Sequence, residues 1–241
     1  MDKKIGRQGQ DSKLSRRDFV GAAAAVAAFT VVPRHVLGGQ GNQAPSDKVN
    51  VAAIGAGGMG AGNTDACAGA GANIVALCDV DFERAAGQFR KYPNAKQYKD
   101  FRKMLDEQKD IDAVIVATPD HMHAIASIAA MRRGKHVYCQ KPLTRLVSEA
   151  RAMTEAARKF KVVTQMGNQG HSGDGVRDIC EWIWDGAIGE IKEVHAWTNR
   201  PVWPQGIERP KEVQDIPSTL DWNLWLGPAP ERPFNSCYLP F

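Results

Sequence analysis

The chain has 241 residues, of which 43% are hydrophobic and 24% are charged, a composition typical of globular proteins and unlike that of disordered or fibrous chains. Its net charge of +4 comes from residues 1–40, which hold seven Lys or Arg and three Asp. The remainder carries 24 basic and 24 acidic residues. A neutral remainder argues against a basic binding surface, so we expect no nucleic-acid partner.

Residues 1–40 have the order of an export signal: a polar basic start, an apolar run and a stretch rich in small residues. The segment SRRDFV, Ser15 to Val20, resembles the twin-arginine signal. The apolar run, Phe19 to Val32, has 14 residues, fewer than the roughly 20 that span a bilayer, so we expect no stable membrane span. We predict export by the twin-arginine machinery to the periplasm or another extracytoplasmic space. The alternative is an amphipathic helix with an incidental arginine pair.

After a polar linker at residues 41–47, short apolar runs alternate with helical segments. Such strands, separated by helices, predict an α/β fold with a doubly wound parallel sheet, the Rossmann type, over residues 48–167. The predicted strands are residues 48–55, 73–79, 112–118, 136–140 and 162–167, and the predicted helices are residues 58–70, 82–92, 100–108, 121–133 and 145–160.

Beyond Gly167 the pattern changes. Residues 174–187 predict a helix, and residues 190–198 alternate as a half-exposed strand of an open sheet does. The tail to Phe241 is rich in Pro and Trp and has no clear periodicity. We therefore interpret residues 168–241 as the incomplete start of an α+β open-sheet substrate-binding domain, and the chain as a fragment or truncated product.

The five cysteines are isolated, with neither a C-x-x-C pair nor the spacing of metal ligands. Cys78 and Cys139 fall in predicted buried strands, where a free thiol acts as a small apolar side chain. We predict no metal and a structural role for all five cysteines.

A glycine-rich turn lies directly after the first predicted strand and before the first predicted helix. In a G-x-G-x-x-G turn the first glycine permits a tight bend, the second admits a pyrophosphate, and the third lets the helix pack on the strand. An acid at the end of the next strand accepts ribose hydroxyls and favours NAD over NADP. We predict NAD as the cofactor and leave NADP open. The alternative is that the glycine turn binds no nucleotide. The predicted cofactor-binding residues are Gly55, Gly57, Gly58, Met59, Gly60 and Asp79.

The segment ATPDHMH, residues 117–123, lies at the carboxyl end of the third predicted strand and the start of the helix that follows. Ligands of open α/β sheets bind at this edge. His121 and His123 are two residues apart, which on a helix directs them to different faces and argues against a two-histidine metal site. The alternative is that Asp120 caps the helix and both histidines are surface residues.

The segment VYCQKPLT, residues 137–144, places Lys141 after the fourth predicted strand. A lysine beside a nicotinamide can take the hydroxyl proton when a secondary alcohol is oxidised. Burial and the positive charge of an oxidised nicotinamide would both favour its uncharged, proton-accepting form. The alternative is a Lys-Pro turn at the surface.

In this order, the three segments resemble the Gfo/Idh/MocA family of glucose-fructose oxidoreductases and inositol dehydrogenases, over about residues 48–230. The resemblance implies that the glycine turn and Asp79 bind NAD(P). It also implies that Thr118 and Pro119 lie along the nicotinamide, with Asp120 replacing the family's asparagine. His123 stands at the family's usual histidine.

The family's glutamate-lysine-proline motif, with its catalytic lysine, corresponds to Gln140, Lys141 and Pro142. The resemblance thus implies a catalytic role for Lys141 and adds Gln140 and Lys141 to the cofactor-binding residues. Gln140 departs from the pattern, because it removes a negative charge beside Lys141 while keeping a hydrogen-bonding side chain.

Members of the family complete the active site with a C-terminal domain that bears an aspartate and a histidine, a segment that this sequence does not reach. The resemblance also suggests substrate-contacting positions, each of which can equally be structural: Asn168, His171, Arg200 and Trp203.

These observations predict an NAD(P)-dependent oxidoreductase acting on a hydroxyl of a small carbohydrate, a sugar or cyclitol, with Lys141 as proton acceptor. A second hypothesis is a glycoside hydrolase that recycles bound NAD through transient oxidation, elimination and re-reduction. A third is a non-catalytic or inactive NAD-binding fragment. Homo-oligomer formation is left open.

Overall fold

The structure is a computed structural model that describes residue 44 and residues 47–200 and 206–239. The chain divides into residues 1–48 and residues 49–241, and the fold lies in the second unit. The signal peptide predicted at residues 1–40, most of the linker and Trp203 lie outside the described residues. Export therefore stays a prediction. Within the described part of the chain, no helix is long and apolar enough to cross a membrane.

Six parallel strands form one sheet in the order β3-β2-β1-β4-β5-β6. This order confirms the predicted doubly wound Rossmann sheet. The strands are β1 Asn50–Ile54, β2 Asn73–Cys78, β3 Lys96–Tyr98, β4 Ala113–Val116, β5 His136–Gln140 and β6 Thr164–Gly167. The helices are α1 Met59–Gly69, α2 Phe82–Lys91, α3 Phe101–Glu107, α4 Asp120–Met131, α5 Val147–Phe160, α6 Asp174–Trp184 and α7 Trp222–Leu226.

The strand register aligns the carboxyl ends of the central strands. Ile54, the last residue of β1, lies beside Cys78 of β2 and beside Val116 of β4. The residues that follow these three strands therefore meet at one edge of the sheet. Strand order reverses between β1 and β4, which is where doubly wound sheets bind their ligands.

Both faces of the sheet are covered by apolar clusters. On one face, Met104 and Met131 from the helices pack against the sheet, and on the other Leu77 and Ile115 pack with Phe89 of α2. Buried side chains alternate between the two faces, as the two-residue period of a strand requires. The apolar runs of the sequence therefore fill two layers of core.

The predicted burial of two cysteines is confirmed, since Cys78 and Cys139 are 2% and 1% exposed. Burial raises the pKa of the Cys139 thiol to about 11 and that of Cys78 well above its ordinary value. Both thiols therefore stay protonated and pack as small apolar groups.

Residues 219–239, the covering segment, fold onto the edge of the sheet near β2. Leu220 pairs with Asp81 in an isolated antiparallel bridge, and α7 begins where the Asp221 side chain accepts the Leu224 N–H at 2.9 Å. A small apolar core holds the segment together, formed by Leu220, Trp222, Leu226 and Phe234.

The strand predicted at residues 190–198 is wrong: residues 191–200 have no regular secondary structure and are exposed. An isolated strand leaves its backbone groups unpaired, and no described strand adjoins this stretch. The predicted helix at residues 174–187 is confirmed as α6, although most of its apolar side chains are exposed, among them Trp182 at 57%.

The buried core predicts that replacing two isoleucines will change the free energy of unfolding by different amounts. Ile115 is 1% exposed, so Ile115→Ala should lower the free energy of unfolding by about 2–5 kcal/mol through lost burial and the cavity left behind. Ile188 is 66% exposed, and Ile188→Ala should change it by less than about 0.5 kcal/mol. Urea unfolding of the two variants measures both values, and equal losses would contradict this core.

Candidate cofactor site

A cavity of about 980 Å³ lies at the carboxyl edge of the sheet. It extends from the ends of β1 and β2 to the ends of β4 and β5, with the covering segment on its outer side. Such a volume is at the upper end of the range of small-molecule sites. The predicted cofactor-binding residues that line it are Gly55, Gly57, Gly58, Met59, Asp79, Thr118, Pro119, His123, Gln140 and Lys141.

The glycine turn is tightly packed against its neighbours. A Cβ on Gly60 would overlap the carbonyl oxygen of Gly55, and a Cβ on Gly55 would lie 2.6 Å from the Ala117 carbonyl oxygen. Gly55 also has φ +83°, which side chains disfavour. Gly60 does not itself line the cavity but lets α1 begin directly against β1.

The N-terminus of α1 faces the cavity through Gly57, Gly58 and Met59. The first turn of α1 contains no acidic side chain that would neutralise the positive end of the helix dipole. The backbone at this position can therefore accommodate a phosphate group.

Asp79 has a structural role that the glycine pattern did not predict. One carboxylate oxygen accepts the Gly57 N–H at 3.0 Å, and the other accepts the Asp81 N–H at 3.0 Å. Burial raises the pKa of Asp79, while the two backbone donors oppose that rise. The carboxylate thus fixes the glycine turn, and each oxygen keeps a lone pair that can accept a ribose hydroxyl.

Two polar residues beside Asp79 also belong to the site, although no motif in the sequence marked them. Asp81 caps α2 by accepting the Glu83 and Arg84 N–H groups. The Arg84 side chain crosses the glycine turn, close enough that a Cβ on Gly57 would lie 2.8 Å from Arg84 Cγ. The available signal was Asp81 directly before the helix predicted at residues 82–92, because aspartate is a favoured N-cap residue.

The other end of the cavity is formed by Thr118 and Pro119 after β4 and by Gln140 and Lys141 at β5. Thr118 Oγ1 and Gln140 Nε2 are buried and have no hydrogen-bond partner among the described residues. Gln140 Oε1 accepts the Lys141 N–H at 3.0 Å. Unpartnered buried polar atoms at a cavity are the groups that a polar ligand would satisfy.

The Lys141 side chain is exposed, so the burial expected for it is wrong. It follows β5 at the rim of the cavity, where no described residue covers it. Its place at the cavity agrees with its position after the fourth predicted strand, but the described residues do not desolvate it.

The two histidines of α4 have separate partners, as their two-residue spacing predicts. His123 is 1% exposed, and its ring nitrogens lie 2.7 Å from the Pro142 carbonyl oxygen and 2.8 Å from the Thr118 carbonyl oxygen. His121 Nε2 donates to the Trp225 carbonyl oxygen at 2.8 Å. The alternative of two surface histidines is wrong, because His123 connects the Thr118 loop to the Lys141 loop.

Of the four suggested substrate positions, the three that the structure describes do not line the cavity. Asn168 follows β6, where its carbonyl oxygen accepts the His171 N–H at 3.1 Å. Both His171 and Arg200 are exposed, and neither lines the cavity. Trp203 lies outside the described residues. The substrate contacts of these residues stay predictions.

The donor set fits a dinucleotide. The glycine turn lets the start of α1 pack directly against β1, the helix start favours a phosphate, and a buried carboxylate is available for a ribose. The unpartnered amide of Gln140 and hydroxyl of Thr118 could bind a carboxamide at the opposite end. These groups match the chemical parts of NAD along one cavity.

Residues 49–168 match the model of an oxidoreductase family with an NAD-binding Rossmann fold, Gfo/Idh/MocA. This domain belongs to the Gfo/Idh/MocA family. A levoglucosan dehydrogenase from Pseudarthrobacter phenanthrenivorans is 34% identical over 115 residues, which are 48% of this chain and 29% of the relative. An inositol 2-dehydrogenase from Salmonella typhimurium is 32% identical over 127 residues, which are 52% and 38% of the two chains.

Among solved structures, the myo-inositol 2-dehydrogenase from Lactobacillus plantarum superposes with a TM-score of 0.56 at 25% sequence identity. The match covers 60% of this chain and 43% of that structure. The chain therefore spans less than half the length of these Gfo/Idh/MocA relatives.

A pair of glycines in α1 tests the fit of the turn. Gly60→Ala should raise the Kd for NAD about tenfold or more, because the added Cβ pushes α1 away from the Gly55 carbonyl. A Cβ on Gly62 would meet no atom within 4 Å, so Gly62→Ala should leave the Kd unchanged and stabilise the helix by about 0.5–1 kcal/mol. Calorimetric titration measures the Kd of each variant for NAD. Equal affinities of the two variants would contradict the close packing of Gly60 against Gly55 as a requirement for binding.

Asp79 predicts a pH-dependent affinity. Protonation of Asp79 removes an acceptor for the Gly57 or Asp81 N–H. As the pH is lowered, NAD affinity should therefore decrease, and because burial raises the pKa of Asp79, the decrease should occur at a pH higher than the ordinary aspartate value of 3.8. Asp79→Asn should bind NAD weakly at every pH, because its amide NH₂ opposes a backbone donor at a cost of about 1–3 kcal/mol. Asp178→Asn, on the exposed helix α6, is the control and should retain the wild-type profile. A flat wild-type profile would contradict this role of Asp79.

Proposed function

We propose that this chain carries the cofactor-binding part of an oxidoreductase that acts on a hydroxyl group of a sugar or cyclitol. The observation that supports this most directly is the continuity of the cavity from the glycine turn to Lys141. A cofactor whose phosphates lie at α1 would thereby have its reactive end beside a potential proton acceptor. The levoglucosan and inositol dehydrogenases supply the substrate class.

Each end of the cavity would contribute a different function. The glycine turn and Asp79 bind the phosphates and the adenosine ribose, and Thr118 with Gln140 orients the opposite end. The uncharged amine form of Lys141, at the rim of the cavity, takes the proton from the substrate hydroxyl oxygen on Nζ. When bound, NAD would supply the hydride acceptor for the adjacent carbon.

The carboxylates of Asp79 and Asp81 support a preference for NAD over NADP. The Asp79 carboxylate lies in the cavity, and Asp81 is close enough for its charge to raise the pKa of Asp79 further. A 2′-phosphate would place two more negative charges beside these carboxylates. Arg84, also at the cavity, reduces this repulsion and is the residue whose replacement by Ala should sharpen the preference.

Lys141→Ala should lower kcat for polyol oxidation by about 10²- to 10⁴-fold, the usual contribution of a positioned acid–base group. Its Kd for NAD should change far less than kcat, because the glycine turn and Asp79, rather than this exposed lysine, would hold the phosphates and the ribose. Formation of reduced cofactor with myo-inositol or levoglucosan measures turnover, and calorimetric titration measures binding. Lys159→Ala, at an exposed position of α5, is the matched control and should change neither.

The same assays separate the three hypotheses. Failure of the wild-type protein to bind NAD would contradict the proposal outright. Sustained hydrolysis of a glycoside without net formation of reduced cofactor would instead favour the hydrolase that recycles NAD. NAD binding combined with equal turnover in the wild type and Lys141→Ala would favour the non-catalytic hypothesis.

A further inference from the structure

The covering segment, residues 219–239, is bonded to the loops that surround one end of the cavity. The Asp221 N–H donates to the Val80 carbonyl oxygen at 2.9 Å, just after Asp79. The Thr219 carbonyl oxygen accepts from the Phe82 N–H and from Lys99 Nζ, both at 3.4 Å. These contacts hold the segment against the ends of β2 and β3.

A second set of contacts joins the segment to the start of α4. The Trp225 carbonyl oxygen accepts from His121 Nε2 at 2.8 Å, and the two rings lie 5.2 Å apart between centroids. Gly227 packs against Met122 so closely that a Cβ on this glycine would overlap the methionine sulfur. The segment therefore extends across the cavity from β2 to α4.

The covering segment is held together by aromatic packing and by hydrogen bonds of its own. Trp222 stacks on Trp225 with centroids 4.7 Å apart, and it contacts the ring of Phe234 edge-on at 5.1 Å. Trp222 Nε1 donates to the Arg232 carbonyl oxygen at 2.9 Å, and Asp221 caps α7. An aromatic core with satisfied polar groups holds the cavity-lining residues in fixed positions.

The surfaces at this end suit a flat aromatic group with polar edges. Leu224 and Trp225 of the covering segment line the cavity, as do Phe101 of α3 and Ile125 of α4. Ile125 is 46% exposed and therefore presents apolar surface to the cavity. Apolar walls beside a ribose-binding carboxylate match a purine attached to a ribose.

We propose that the covering segment is the adenosine-binding wall of the cofactor site, with Trp225 as its principal contact. This inference rests on the proposed function, since it assigns the end of the cavity that the nucleotide's adenosine half would occupy. The segment adds affinity at a place remote from Lys141, and it slows cofactor release because the nucleotide is held between the sheet edge and α7. Trp225 is therefore a binding residue with no part in proton transfer.

Trp225→Ala should raise the Kd for NAD and for ADP-ribose by the same factor, about 5- to 100-fold, the range expected for losing one aromatic contact to a base. ADP-ribose is the informative probe because it contains the adenosine half and lacks the nicotinamide. Trp225→Phe should recover most of the affinity. Trp182→Ala removes an equally large but exposed ring on α6 and should have no effect.

Gly227→Ala provides a second variant that keeps Trp225. Its Cβ would displace the segment from Met122, and it should weaken ADP-ribose binding while the protein stays folded by circular dichroism. The inference is overturned if Trp225→Ala binds ADP-ribose like the wild type, or if only NAD and not ADP-ribose is weakened. If the wild-type protein binds neither ligand, the proposed function fails instead.

Discussion

The nucleotide pocket depends on the buried Asp79 carboxylate, whose two oxygens accept the N–H groups of Gly57 and Asp81. These bonds join the glycine turn after β1 to the loop that begins α2. Burying a carboxylate is costly, and the two backbone donors compensate for lost hydration. Because one side chain fixes both loops, the shape of the pocket exists before any ligand binds. A preformed site spends less binding free energy on ordering its own loops.

His123 has a comparable role at the opposite end of the cavity. Its ring lies between the carbonyl oxygens of Thr118 and Pro142, which belong to the loops after β4 and β5. The backbone beside Lys141 is thereby tied to the loop that lines the cavity. Two buried side chains, Asp79 and His123, thus hold the loops at the two ends of the site.

The sequence predicted those features that depend on local pattern. Continuous apolar runs defined five of the six strands, and the glycine spacing located the turn at Gly55 and Gly60 correctly. The edge strand β3 was missed because its three residues, Lys96–Tyr98, are mostly polar and exposed. The covering segment was missed because its structure comes from long-range contacts, such as Trp225 with His121, that no periodicity encodes. The strand expected at residues 190–198 followed from alternation alone, and alternation does not supply the neighbouring strand that pairing requires.

The two ends of the cavity differ in a way that suits catalysis. Around Asp79 the walls come from the sheet edge, α3, α4 and the covering segment, whereas Lys141 is exposed at the rim. Contacts far from the reacting atoms can position a ligand without obstructing the substrate's approach, and their binding free energy then contributes to orientation at the reactive end. A cofactor held mainly through its adenosine half would leave the Lys141 end free to admit different hydroxyl compounds. The fold therefore separates the residues that determine affinity from the residue that would transfer the proton.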